Sequence, residues 1–224
     1  MRAIGGFLLA GLLLAAAPAP PPEQPGEEPL SPAQVLLFET AHLKSIEHPV
    51  TLEYSFHRVG PGAFDDRVLE RIGPIHPDGT KFVSIDFLSG DHHQFFPAVD
   101  DFRGNPLLML FLEHDVQQMK AQIGVAAAYF RDHVRKAFID RASIEDVSVS
   151  IDGKTVPARR ITMRPFATDP RFADLPTVQN KTYVFVLTDA VPGMLQELRV
   201  DVPADPSVGA PALSEQIVFK GERP

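Results

Sequence analysis

Cysteine is absent from the 224 residues. That removes disulfide frameworks, thiolate metal sites, a cysteine nucleophile and a lipidated N-terminal cysteine. A fold without disulfides is held by its core, and a domain of this length buries roughly 70% of the surface its unfolded chain exposes. Tryptophan is also missing, against sixteen phenylalanines, so the apolar interior is built from Phe and aliphatic residues. No apolar run reaches the roughly 20 residues of a membrane-spanning helix, and an integral membrane protein is not expected. Basic residues are the minority, with 21 Lys and Arg against 29 Asp and Glu and a formal net charge of −8. No basic cluster interleaved with aromatics occurs, so nucleic acid is not an expected partner. The acidic balance reads as solubility. The G-x-S-x-G elbow, the P-loop and the dinucleotide fingerprint are all missing. No cofactor is expected, and an enzyme is not the favoured reading.

What is present begins with a targeting pattern. Arg2 precedes the apolar run Ala3 to Ala16, and Ala15-Ala16-Ala17 offers the small-residue site of a signal peptidase. Residues 1–17 therefore read as a cleaved Sec-type signal peptide, which places the mature protein in the periplasm of a Gram-negative bacterium. Residues 18–30, rich in proline and acid, read as a disordered linker. Residues 31–221 read as a single α+β domain.

The stretch from Gly104 to Phe138 organises that domain. Asn105 suits a helix cap and Pro106 the first helical position. Leu112, Val116, Met119 and Ile123 share one helical face, and Gly124 sits where a helix can end in a left-handed residue. A second stripe, Ala126, Phe130, Val134 and Phe138, restarts at once, so a helix pair is expected. Within it, Leu107 to Leu112 (LLMLFL) is apolar all round. Such a run is either wholly buried or faces an apolar cavity, and Leu107, Leu108, Leu110 and Phe111 are the candidate ligand-binding residues.

The rest alternates in strand fashion. Ser31-Pro32 opens an N-terminal helix expected to reach Ile46, with Glu39 and His42 as a local hydrogen-bonded pair. Val50, Leu52, Tyr54 and Phe56 mark one face of a half-buried antiparallel strand. Further strands are expected over 64–75, through Val83, Ile85 and Phe87, and through Phe95 and Phe96. Charged residues occur on both faces of the second. Beyond the helix pair, Val147, Val149 and Ile151 lead into Asp152-Gly153, the strongest hairpin signal, because a type I′ turn needs positive φ at both positions. Val156, Ile161 and Met163 return. Pro165 to Pro176 reads as a long flap or rim. Tyr183 to Leu187, apolar on both faces, reads as a covered central strand, and Val191-Pro192-Gly193 as a type II turn. Leu198, Val200, Val202, Ile217 and Phe219 complete a sheet of about nine strands in two meanders.

Two histidine clusters, Asp91-His92-His93 and Glu113-His114-Asp115, invite a metal reading. Neighbours on a strand point to opposite faces, and successive helical residues diverge by about 100°. Neither cluster can chelate alone, and no metal site is assigned. The carboxylate pairs Asp65-Asp66 and Asp100-Asp101 read as turn residues.

This order (helix, four strands, helix pair, five strands) resembles the periplasmic lipoprotein carriers of the LolA/LolB type. The resemblance implies a strongly curved antiparallel sheet forming an open cup, with helices over its mouth. It also implies a soluble protein that binds or carries a lipid, an acyl chain or a lipoprotein. Two further readings stand beside it. One is an interaction or assembly factor docking another envelope protein, and the other is a hydrolase or metalloprotein with an unrecognised site.

Overall fold

In the computed structural model, which describes residues 29–207 and 209–223, the alternating segments form one nine-stranded antiparallel sheet, curved and open. The expected signal peptide and nearly all of the linker lie outside the described residues. The strands are β1 (Val50–Val59), β2 (Phe64–Ile75), β3 (Lys81–Phe87), β4 (Val99–Phe102), β5 (Ser143–Ile151), β6 (Lys154–Met163), β7 (Thr182–Leu187), β8 (Leu195–Val202) and β9 (Leu213–Arg223). Their order is β4-β3-β2-β1-β9-β8-β7-β6-β5. Each half is a meander, and the two halves are joined where β1 pairs with the closing strand β9.

That order decides where the helices go. The chain leaves the sheet at one edge, β4, and returns at the opposite edge, β5. Helices α2 (Leu107–Ile123) and α3 (Ala127–Asp140) make the crossing, so they span the sheet and cover one face of it. A short α1 (Pro32–Gln34) lies against α3, with the Ser31 hydroxyl donating to the Phe138 carbonyl at 2.6 Å. The core is contiguous and sits between this layer and the sheet. Val50, Leu52, Tyr54 and Phe56 of β1 all point into it, as the alternation requires. Among the described residues no helix is long and apolar enough to cross a membrane.

Several local expectations hold. Asn105 Oδ1 accepts the Leu107 N–H at 3.0 Å, and α2 ends at Gly124 with φ 77°. Asp152 and Gly153 have φ of 50° and 75°, the pair of positive values a type I′ turn requires, between partners Ile151 and Lys154. The Met194 N–H donates to the Val191 carbonyl at 3.1 Å and closes the turn expected there. Tyr183, Phe185 and Leu187 face the main core. Val184 and Val186 cover the other face of β7 with Ala158, Val147 and Val149, side chains of the neighbouring strands β5 and β6.

Four expectations need correction. The N-terminal helix does not run to Ile46. It breaks into α1, a π-helical turn at Val35–Glu39 and a 3-10 turn at His42–Ser45, because Thr40 is extended (φ −69°, ψ 134°). His42 does not pair with Glu39. Its ring is buried, with Nε2 2.8 Å from the Leu36 carbonyl and Nδ1 accepting the Asn105 N–H at 3.1 Å. The fourth strand does not pass through Phe95 and Phe96. Only an isolated bridge joins Phe87 to Gln94, and pairing with β3 resumes at Val99. Pro97 follows Phe96 and has no N–H to give the ladder, so the strand starts after it. The 165–176 segment, expected as a long flap or rim, is anchored and so is not a free flap. It holds a 3-10 turn at Pro170–Phe172, and the buried rings of Phe166 and Phe172 pack on Phe130 at 5.8 and 6.0 Å between centroids.

Nothing lies within 4 Å of the position a Cβ would take on Gly153, so a side chain there meets only the backbone penalty of a left-handed conformation. Gly153→Val is expected to destabilise the fold by about 1–2 kcal/mol in chemical denaturation. Unchanged stability would show that the turn does not need its left-handed pair.

Candidate functional site

Two concave features flank α2. The first is a groove of about 310 Å3 between α2 and α3, walled by Phe38, Met109, Leu112, Val116, Val134 and Phe138. Its polar residues stand at the rim, where Arg131 makes a two-pronged ion pair with Glu113 (2.6 and 2.8 Å) beside Arg135. Met109 is 57% exposed and Phe38 is 37% exposed, with its ring edge-on to Phe138 at 5.0 Å. Isolated exposed apolar residues are ordinary on a protein surface, whereas a continuous apolar wall is a recognition feature.

The apolar run in α2 is thus divided by direction. Leu107, Leu108 and Phe111 are buried in the main core, and Leu110 is half-buried against it. Met109 and Leu112 turn to the groove. Of the four candidate ligand residues, none lines the groove. The adjacent positions in the same run do.

The second feature is a cleft of about 230 Å3 between the C-terminal half of α2 and the ends of the sheet. Arg58, Asp115, Gln118, Gln122, Lys181 and Thr177 line it, beside apolar residues that include Met119, Ile123, Val178 and Leu213. Thr177 and Val178 belong to a fourth short helix, α4 (Pro176–Gln179). Behind the cleft lies a buried polar network. Asp115 accepts from Lys181 through one carboxylate oxygen and from the Tyr183 hydroxyl through the other. Glu215 accepts from Arg58 and from Gln118 (3.0 and 3.2 Å), and His114 Nε2 stands 3.2 Å from it. His114 Nδ1 faces the Gln94 amide oxygen at 3.0 Å, and its Nε2 also lies 2.7 Å from the Gln118 amide nitrogen. Burial pushes the Glu215 carboxyl up, but the bonds and charges of His114, Arg58 and Gln118 together hold it below its ordinary value. Burial, then the Asp115 charge, pushes the Tyr183 hydroxyl well above its ordinary value.

Glu113, His114 and Asp115 behave as successive helical residues must. Glu113 turns to Arg131 on α3, His114 to Glu215 on β9, and Asp115 to Lys181 and Tyr183 at β7. They do not converge on one point. His92 and His93 are exposed, and the His92 ring stacks on Phe64 at 3.8 Å between centroids. A cluster that sequence reasoning did not assemble is His76 with Asp100 and Asp101, whose ligand atoms lie within 4.8 Å of one another. It is a surface arrangement in which Asp100 accepts from His76 Nε2 at 2.7 Å.

A further buried group sits at the start of α2. Glu70 is fully buried on the core face of β2. Its Oε2 accepts from the Tyr54 hydroxyl at 3.1 Å and from Asn105 Nδ2 at 3.3 Å, while Oε1 has no partner among the described residues. Burial raises its pKa to about 7, against the smaller lowering effect of the two hydrogen bonds. Sequence parity carries the signal for these groups. Glu70 falls between Val68 and Ile72, and Glu215 two residues before Ile217, on faces that are otherwise apolar.

No protein-family model and no curated protein sequence matches the chain. Among solved structures, the lipoprotein LppX of Mycobacterium tuberculosis is similar over 80% of this chain and 90% of its own, at 11% identity and a TM-score of 0.30. A LolA superfamily protein from Nitrosomonas europaea is similar over 85% of this chain and 92% of its own, at 8% identity and a TM-score of 0.20. At that similarity neither alignment fixes the place of a side chain, so the functional reading rests on this chain's own geometry.

The Glu70 geometry has a pH consequence. Below the unfolded value of about 4.5, both states hold the proton and Glu70 contributes nothing. Between there and about 7 the folded state keeps a proton that the unfolded state has lost, so stability falls as pH rises. Above about 7 the penalty is complete, at roughly 3 kcal/mol. Glu70→Gln keeps an oxygen acceptor without the charge. It is expected to gain stability over the parent between pH 5 and 8 in thermal melts, with little difference at pH 4. A constant difference across that range would show that Glu70 does not titrate as its burial requires.

Proposed function

We propose that this protein is an exported binder or carrier of a hydrophobic ligand, an acyl chain or lipid. The observation that carries the reading is the groove between α2 and α3, whose wall is apolar and whose charges stand only at its rim. Its volume, about 310 Å3, falls at the lower end of the roughly 300–1,000 Å3 of small-molecule sites. Methionine, leucine and phenylalanine suit a ligand of variable shape, since a thioether chain adapts to irregular contact. The export half of the reading rests on the N-terminal pattern of Arg2, the apolar run and Ala15-Ala16-Ala17.

Leu107, Leu108, Leu110 and Phe111 keep a place in this proposal. They lie one helical turn or less from the groove wall, between α2 and the sheet. A ligand larger than the groove would reach them if the helix pair parted from the sheet.

Aspartate substitutions separate the two positions. In the core at Leu107 or Phe111 a carboxylate is left unpaired or protonated at a cost of several kcal/mol. That is a large part of the roughly 5–15 kcal/mol a domain has, so these variants are expected to be largely unfolded. Met109→Asp places the charge where water already reaches. It is expected to melt close to the parent and to lose uptake of a fluorescent fatty acid. A folded Met109→Asp protein that takes up the probe as the parent does would overturn the groove as the ligand site.

A further inference from the structure

We infer that the cleft between the C-terminal half of α2 and the sheet ends is a second site, one that binds the anionic head of an amphipathic acid through Arg58 and Lys181. The inference comes from the balance of donors and acceptors around the buried network. Both oxygens of Asp115 are occupied, one by Lys181 and one by Tyr183. Both oxygens of Glu215 are occupied as well, by Arg58, Gln118 and His114. The acceptors are used up. The donors are not.

Lys181 is 7% exposed, and of the three N–H groups on its ammonium only one finds an acceptor, Asp115, among the described residues. Arg58 gives Nε–H to the Pro61 carbonyl at 3.1 Å, and Nη1 to Gln118 at 2.8 Å and to Glu215. Its Nη2 has no acceptor among the described residues. Both cations line the same cleft, as does the side chain of Gln122. These free N–H groups belong to residues that line the cleft, where a charged donor gains most from a charged acceptor. One carboxylate or phosphate in the cleft would take up these remaining N–H groups.

The other wall of the cleft sets the character of the rest of the ligand. Met119, Ile123, Val178, Val202 and Leu213 stand beside the two cations. Apolar carbon attached to the anion would be removed from water there, whereas an inorganic anion gains nothing from that wall. The ligand class is therefore an organic acid with an apolar stem. This site shares no lining residue with the Met109 groove and does not depend on it.

Replacing Arg58 or Lys181 would strip a buried carboxylate of its partner and risks unfolding the protein. Gln122 is exposed at the cleft and serves instead. The experiment titrates octanoate, octanol and inorganic phosphate into the parent, Gln122→Glu and Gln122→Lys by calorimetry at low salt. Octanoate is expected to bind the parent, about tenfold more weakly to Gln122→Glu and more tightly to Gln122→Lys, with octanol indifferent to both changes. Phosphate following the same order more weakly would support the head-group contacts and assign the rest of the octanoate affinity to the apolar wall. Phosphate binding as tightly as octanoate would overturn the organic acid in favour of a free anion. Octanoate that fails to bind at millimolar concentration, that binds no differently from octanol, or that ignores the charge at position 122 would overturn the site. The Met109→Asp uptake measurement reads the groove and this one reads the cleft, so each can fail alone.

Discussion

The arrangement depends on a single buried amide. Asn105 is 3% exposed and ties four parts of the chain together at the start of α2. Its Oδ1 holds the first turn of the helix through the Leu107 N–H, and its own N–H is held by His42 of the N-terminal segment. Its Nδ2 reaches Glu70 on β2, the Tyr54 hydroxyl on β1 and the Gly193 carbonyl in the β7–β8 turn, at 3.3, 3.4 and 3.3 Å. An amide buried in an apolar core is costly unless its bonds are made, so α2 has one low-energy seat on the sheet. With α2 seated there, the faces it presents to the sheet, to α3 and to solvent are all decided.

Those faces give the groove and the cleft different chemistry. Looking outward, α2 shares with α3 a groove whose wall has nothing to hydrogen-bond, so it can select only by shape and apolar contact. Looking toward the sheet ends, the same helix contributes Asp115 and Gln118 to a network of charges in low-dielectric surroundings. Buried ion pairs of this kind add little net stability, because desolvation offsets most of the attraction. Their cost is better understood where they hold other donors in position, as Lys181 and Arg58 are held at the cleft. The topology makes both concavities possible, because a helix pair that crosses from the β4 edge to the β5 edge must lie over the whole sheet.

How much of this the sequence disclosed varies with the range of the interaction. The meanders, the helix pair, the Gly124 stop and the Asp152-Gly153 turn were all legible, since each depends on neighbours within a few residues. The N-terminal helix was misread because its break comes from a distant contact: His42 turns inward to meet Asn105, 63 positions away. The fourth strand was misplaced although its cause, the missing N–H of Pro97, is local. The candidate site was half legible. Within the apolar run from Leu107 to Leu112 the four candidates face the core, and the groove wall falls on Met109 and Leu112.

The sequence by itself determined the periodicities, the turn chemistry, the absence of any disulfide or thiolate site, and the order of strands and helices along the chain. These depend on backbone preference and on the spacing of apolar residues, which are local properties. Only the tertiary structure decided that β9 pairs with β1, which unites the two meanders. It alone brought Arg58, Asp115, Lys181 and Glu215 together from positions up to 157 residues apart. It also decided which charges on apolar strand faces are buried, such as Glu70, and what each one meets there. The reason is the same in each case: a side chain's direction is set by its own few residues, but its partner is set by what the folded chain places opposite.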